Sequence, residues 1–233
     1  MTEKVKDCPI PSTHDKYVEA YYFLKQMVKY YHYPNEFRFN LNAFIQALRN
    51  ITFILQSEDK KPFNFDSWYK HKKEEMSSNE MLRGFVEARN VLVKQNMLNS
   101  KTKIAVCVFK GLKQKVSCSL ETNPYEISTF AYNEKLLDFA RESYIGVFLD
   151  KEHSTIGDQL GIYREWVVDE IGDAEIVSIC IKALNYMGEL VKEVHELQDE
   201  GFEPYTFDID MNRIQILLES DLDPNLPKKW GWE

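Results

Sequence analysis

The chain has 233 residues, of which 44% are hydrophobic and 13% aromatic, and carries a formal net charge of −8. A chain this long and this apolar buries a core without covalent staples, which excludes a disordered segment. The acidic total excludes phosphate binding by the surface as a whole, and only 9 Gly and 8 Pro favour long helices over a turn-rich β-sandwich.

The first residues, MTEKVKDCPIPS, are charged and lack the apolar stretch of a secretory signal. No apolar run approaches the roughly 20 residues a membrane span needs. A soluble, cytoplasmic protein with no membrane partner is expected. Next, Tyr17, Tyr21, Leu24, Val28 and Tyr31 recur at helical spacing behind Ser12 or Thr13 as cap, and the helix stops before Pro34. A second helix covers 35–56, with Phe37, Leu41, Phe44, Ile45, Leu48, Ile51 and Leu55 as its stripe. The short loop between the two favours antiparallel neighbours. Residues 65–76 read as a shorter helix started by Asp66. Residues 77–96 read as a fourth, with Ser77 or Ser78 as cap and Glu80 at capping-box spacing.

The pattern changes at Lys103. KIAVCVFK, GLKQ and KVSCSL form a β-hairpin, with Val116, Cys118 and Leu120 on one face of its second strand. Helices return at 134–151 and, more weakly, at 157–172. The strongest helix begins near Asp173, is apolar on two faces, and is closed by Gly201. The tail reads as short extended pieces pinned by Trp230 and Trp232. The expected fold is therefore mainly α: an N-terminal antiparallel helical bundle (13–97), a small β-hairpin insert (101–120), and an acidic helical C-terminal half with an extended tail (133–233). All of it is taken as one compact unit.

Charge is distributed unevenly. Residues 60–115 hold 13 basic and 5 acidic side chains, whereas 116–233 hold 9 basic and 25 acidic. Lys101, Lys103, Lys110, Lys113 and Lys115 occur with no acid between 101 and 115, and Trp68, Tyr69, Lys70, His71, Lys72 and Lys73 interleave cations with rings, as single-strand nucleic-acid sites do. Cys8, Cys107, Cys118 and Cys180 show no C-x-x-C pair and read as free thiols, although Cys107 and Cys118 could face each other across the hairpin. No two of the five histidines form an H-x-x-x-H pair. His195, at the edge of the strongest helix near Glu193 and Glu196, reads as a solvated or hydrogen-bonded histidine rather than as a ligand. Asp208, Asp210, Asn212 and Glu219 fall at calcium-loop positions, but Arg213 occupies the position that needs Gly. This stretch is expected to be a hairpin turning near Met211 and Asn212. No cofactor and no metal are expected.

One string stands apart. In EARNVLVKQN, Arg89 lies among Phe85, Val86, Leu92 and Val93, and a similar string, ALRNITFILQ, occupies 47–56. A guanidinium on an apolar stripe needs a partner or a route to water. Glu80 and Glu87 are the nearby carboxylates. An Arg-Asn pair on a late bundle helix, followed five to seven residues on by a polar position, resembles the HEPN superfamily of helical nucleotide- and RNA-associated domains. The resemblance covers 13–97. In that superfamily's ribonucleases the later position is a His, whereas here it is Lys94, Gln95 or Asn96. Gln and Asn cannot carry the proton that a His would. The resemblance thus implies a non-catalytic, dimeric binding protein in a defence or toxin–antitoxin setting, with Arg89, Asn90, Lys94, Gln95, Lys101 and Lys103 on RNA or nucleotide phosphate. Two alternatives stand beside it. One is a protein-interaction or immunity module whose acidic half meets a basic protein. The other is a divergent metal-independent ribonuclease using His153 or His71 as a remote base.

Overall fold

The structure, a computed structural model, describes residues 8–59, 61–95, 97–120, 125, 129–149 and 158–232. Five longer helices, α1 (Pro11–Lys29), α2 (Pro34–Ser57), α3 (Phe65–Ser78), α4 (Glu80–Gln95) and α5 (Thr129–Glu142), are joined by a sixth, α6 (Ile176–Glu196). Four strands, β1 (Ser100–Lys110), β2 (Lys113–Leu120), β3 (Asp158–Val168) and β4 (Ile216–Leu218), form one sheet in the order β2-β1-β3-β4. The mainly α expectation is therefore corrected to mixed α/β. The hairpin is half of a sheet rather than an insert.

The chain forms two units. The first comprises Met1–Lys29, Arg38–Ser100 and Val168–Asp208. Its centre is α6, on which α1 and α4 pack. Ile176, Val177, Cys180, Ala183, Leu184, Met187, Leu190, Val191 and Val194 are all buried, so both apolar faces are covered. Each large side chain so removed from water contributes about 1.5–3 kcal/mol. The Glu175 carboxylate starts this helix by accepting from the N–H groups of Val177 (3.1 Å) and Ser178 (2.8 Å). Its end differs from expectation. Asp199 (φ 57°), not Gly201, takes the left-handed conformation, and the Glu200 N–H closes onto the His195 carbonyl at 2.9 Å. Gly188 is required by close approach: a Cβ there would lie 2.8 Å from Pro204 Cβ and from Tyr17 Oη.

A row of rings lies along α1. His14, Tyr17 and Tyr21 meet Phe202, Tyr205 and Phe207, with centroids 4.7–6.0 Å apart. The Tyr205 N–H donates to Tyr17 Oη at 3.2 Å. The start of α4 also differs from expectation. Ser77 and Ser78 donate back to the Glu74 and Glu75 carbonyls and finish α3, while Asn79 Oδ1 accepts from the Leu82 N–H at 3.2 Å and caps α4.

The second unit comprises Tyr30–Phe37, Lys101–Val167 and Ile209–Glu233. Strands β1 and β2 pair antiparallel through a two-residue turn whose Gly111 has φ 59°. Cys118 sits opposite Val106 and Cys107 opposite Ser117, so period-2 alternation sends the two thiols to opposite faces. Strand β3 was expected to be helical. It is instead a central strand between β1 and β4, buried along most of its length, so its sequence, with Gln159 and Arg164 inside it, shows no period-2 alternation of apolar and polar residues. One sheet face meets Tyr132, Leu136, Leu137 and Ala140 of α5. The helix expected over 134–151 stops at Glu142 and is followed by a 3-10 turn, Tyr144–Phe148, capped by Ser143.

The tail departs from expectation as well. Asp210 caps a single helical turn, α7 (Met211–Ile214), and β4 pairs with β3 rather than folding back on a hairpin partner. Glu219 is buried, accepting from the Leu160 N–H (3.0 Å) and the Arg141 guanidinium (2.9 Å). Short helices α8 (Glu219–Leu222) and α9 (Leu226–Lys229) follow. Trp230 and Trp232 pack on each other, 4.6 Å apart, and stay partly exposed.

Arg164, at the middle of β3, has no exposed surface. Its guanidinium donates to the His32 carbonyl (3.1 Å) and to Asn133 Oδ1 (3.3 Å), and its charge lies over the rings of Tyr132 and Trp166. Trp166 Nε1 donates to the Tyr31 carbonyl at 2.9 Å, and Phe37 stacks on the indole at 4.7 Å. The segment Tyr30–Phe37 is thereby pinned to β3. Burial pulls the Arg164 pKa down to about 10, so it stays charged at neutral pH. Beside it, His32 donates Nε2–H to the Ile214 carbonyl at 2.8 Å. Burial, and then the Arg164 charge, lower its pKa to about 3.

Two outcomes follow. Arg164→Ala strips donors from two buried acceptors and leaves a hole, so unfolding titration should show a loss of about 3 kcal/mol or more. The unfolded chain protonates His32 near its ordinary pKa of 6.5 while the folded chain resists until about 3. Stability should therefore fall as pH drops through that window, and His32→Gln should flatten this part of the Tm–pH curve.

Candidate functional site

In the first unit a cavity of about 390 Å³ opens between α2, α3 and α4. Helical spacing explains its lining. On α2, Leu48, Arg49, Thr52, Phe53 and Gln56 recur every three or four residues, and Met187 of α6 also contributes to the wall. On α3, Tyr69, Lys73 and Met76 form one stripe. Their neighbours Trp68 and Lys72 turn to α6 instead, where Trp68 Nε1 (3.0 Å) and Lys72 Nζ (2.7 Å) both donate to Glu193. On α4, Leu82, Arg83, Phe85 and Val86 complete the lining.

The walls are largely apolar, and the charged lining residues are Arg49, Lys73 and Arg83, with no carboxylate among them. Arg49 is held in place. Its guanidinium donates to Thr52 Oγ1 at 2.8 Å and lies 4.2 Å from the Phe53 ring centroid. Burial lowers its pKa, the Tyr69 phenol counteracts this, and the like charge of Arg89 lowers it further. The Tyr69 hydroxyl donates to the Thr52 carbonyl at 3.4 Å, and burial raises its pKa. Among the described residues no carboxylate lies within ion-pair distance of Arg49, Lys73, Arg83 or Arg89. Such a site can take an anion joined to an apolar or aromatic body.

Arg89 is half-buried on α4 without the internal carboxylate that would make it a strut, and its charge reaches Arg49. Asn90 and Lys94 are exposed and share the face of Arg83, interrupted by Glu87. Gln95 ends α4, and Asn96 lies outside the described residues. Lys101 and Lys103 belong to β1 in the second unit, where Lys103 pairs with Glu165 at 3.0 Å. His71 is exposed beside Glu74, and His153 lies outside the described residues. Arg49 and Arg83 were missed as site residues. The recurrence of Arg-Asn in ALRNITFILQ was the signal available for the first, and nothing local marked the second.

No helix among the described residues is long and apolar enough to cross a membrane. The family model described as bacteriophage lambda protein ea47 matches residues 2–222. Protein ea47 of Escherichia phage lambda is 27% identical over 159 residues, covering 67% of this chain and 36% of the relative. The chain thus spans little more than a third of the length of that relative. No solved structure matches. These findings replace the HEPN resemblance: the Arg-Asn pair and the polar position after it were too short to define a superfamily. The defence and toxin–antitoxin setting rested on that resemblance and falls with it. The match across nearly the whole sequence places the chain in the bacteriophage lambda protein ea47 family.

Proposed function

We propose that the first unit binds a nucleotide, free or as one residue of a single-stranded nucleic acid, in the cavity between α2, α3 and α4. The observation that carries this reading is the set of three cations, Arg49, Lys73 and Arg83, around an apolar cavity with no lining carboxylate. A fixed guanidinium in a partly desolvated site favours phosphate oxygens, which it meets in fork geometry. Phe53, Tyr69 and Phe85 supply ring surface for a base, and the volume falls within the range of small-ligand pockets. Arg89, Asn90 and Lys94 extend the polar stripe of α4, so a strand leaving the cavity would meet further donors along it. Lys101 and Lys103 belong to the other unit and are no part of this cavity. No proton-transfer step is assigned to the site.

Titration of fluorescent single-stranded RNA, single-stranded DNA and a mononucleotide tests the reading. Binding should weaken with salt, with a slope near −2 in log affinity against log salt for three cations on a single strand. Arg49→Ala should weaken it about 10- to 100-fold, the value of a charge-assisted hydrogen bond in a shielded site. Lys103→Ala should change mononucleotide binding little. Absence of binding to all three probes, or binding indifferent to Arg49→Ala together with Arg83→Ala, would overturn the assignment. So would preferential binding of a fatty-acid anion that lacks a base.

A further inference from the structure

The first unit also holds a cluster remote in sequence. Cys8 Sγ lies 3.3 Å from His195 Nε2 and 3.7 Å from His14 Nδ1, and the three donor atoms all fall within 4.8 Å of one another. Pro9, Ile10 and Pro11 lead Cys8 into α1, and Ile10 is buried. The His14 N–H closes onto the Ile10 carbonyl at 3.0 Å. The first turn of α1 is further clamped by buried Glu58, which accepts from the Thr13 N–H (2.6 Å) and hydroxyl (2.9 Å). His195 comes from the last turn of α6 and is buried.

The tautomer of His195 follows from its partners. Nδ1 lies 2.8 Å from the Val191 carbonyl, which can only accept, so Nδ1 carries the proton and Nε2 presents its lone pair to Cys8. A ligating histidine has this arrangement, its second nitrogen donating to a backbone carbonyl. Phe202 stacks on the His195 ring and meets the His14 ring edge-on, each at 4.9 Å, shielding both.

We propose that Cys8, His14 and His195 bind a zinc-class divalent cation through one thiolate and two imidazole nitrogens. For a tetrahedral ion with metal–nitrogen bonds of about 2.0–2.1 Å and a metal–sulfur bond of about 2.3 Å, the sulfur-to-nitrogen edge is about 3.6 Å. The two observed separations bracket that value. Two carboxylates, Glu58 and Glu200, are close enough for their charge to act on Cys8, while the Ile10 N–H stabilises the thiolate. The neighbouring Asp15 carboxylate acts on His14. The carboxylates Glu58, Glu200 and Asp15 all favour a cation there.

A cysteine–histidine nucleophile fits less well. Burial raises the Cys8 pKa and lowers that of His14, both against the thiolate–imidazolium pair such a nucleophile needs. The cation displaces the thiol proton, which leaves to solvent, and meets two imidazoles that need lose nothing. Three protein ligands leave a fourth tetrahedral position for water or an incoming group.

The test uses the full chain stripped of metal with a chelator. Zn²⁺ titrated by calorimetry should bind one to one, releasing close to one proton at neutral pH. Co²⁺ in its place should give the intense visible bands of a tetrahedral ion and a thiolate charge-transfer band. Cys8→Ser should abolish the charge-transfer band, and His14→Gln should weaken binding at least about 10-fold, the smallest loss seen even for outer partners of a metal site. Cys118→Ser should leave both unchanged. His14 and Cys8 are only partly buried, so metal-free melting curves of these variants should match the parent and separate lost binding from lost folding. A pale octahedral cobalt spectrum, a stoichiometry well below one, or a charge-transfer band that survives Cys8→Ser would overturn the site. None of these readouts depends on nucleotide binding.

Discussion

Covering both faces of α6 is the constraint from which the first unit follows. A helix with two apolar stripes cannot lie on a surface, so α1 takes one flank and α4 another. Polar side chains of α6 then act as anchors at its edges. Glu193 draws in Trp68 and Lys72 and so sets the rotation of α3. That rotation turns Tyr69 and Lys73 toward the cavity. Met187 contributes to the cavity wall, and His195 reaches the start of α1. Both sites of this unit are thus consequences of how one helix is buried.

The second unit solves a different problem, a full guanidinium charge inside a sheet-and-helix core. Arg164 has no carboxylate partner among the described residues. It is held by two neutral acceptors and two ring faces. Removing a charge from water is costly, and such groups persist where their hydrogen bonds fix a single arrangement. Here they fix Tyr30–Phe37 against β3, a segment whose own backbone forms only a turn and the first residues of α2.

Long amphipathic helices were legible in the sequence because 3.6-residue periodicity is a local property. The stripes of α1, α2 and α6 and the β1–β2 turn at Gly111 needed no tertiary information. Strand β3 was not legible, because a strand covered on both faces need not alternate, and Gln159 and Arg164 within it read as surface residues. The basic stretch 60–115 read as one surface, yet it divides at Ser100 between the two units, and Lys72 and Lys103 within it are occupied by Glu193 and Glu165. Arg89 does not line the cavity, and the guanidinium fixed there is Arg49 of α2. Cys8, His14 and His195 had no shared spacing to betray them, since 181 residues separate the last two and only folding of α1 on α6 joins them.

The row of rings along α1 has a kinetic consequence. Residues 202–207 lie against that helix outside any helix or strand, fastened by aromatic contacts and the hydrogen bond at Tyr205. A strap held this way detaches by unzipping from one end, without unfolding the helices beneath it. Phe202 is the link over both imidazoles, so an ion seated there would escape no faster than the strap peels back, and its residence time would be governed by aromatic packing as well as by the strength of its own bonds.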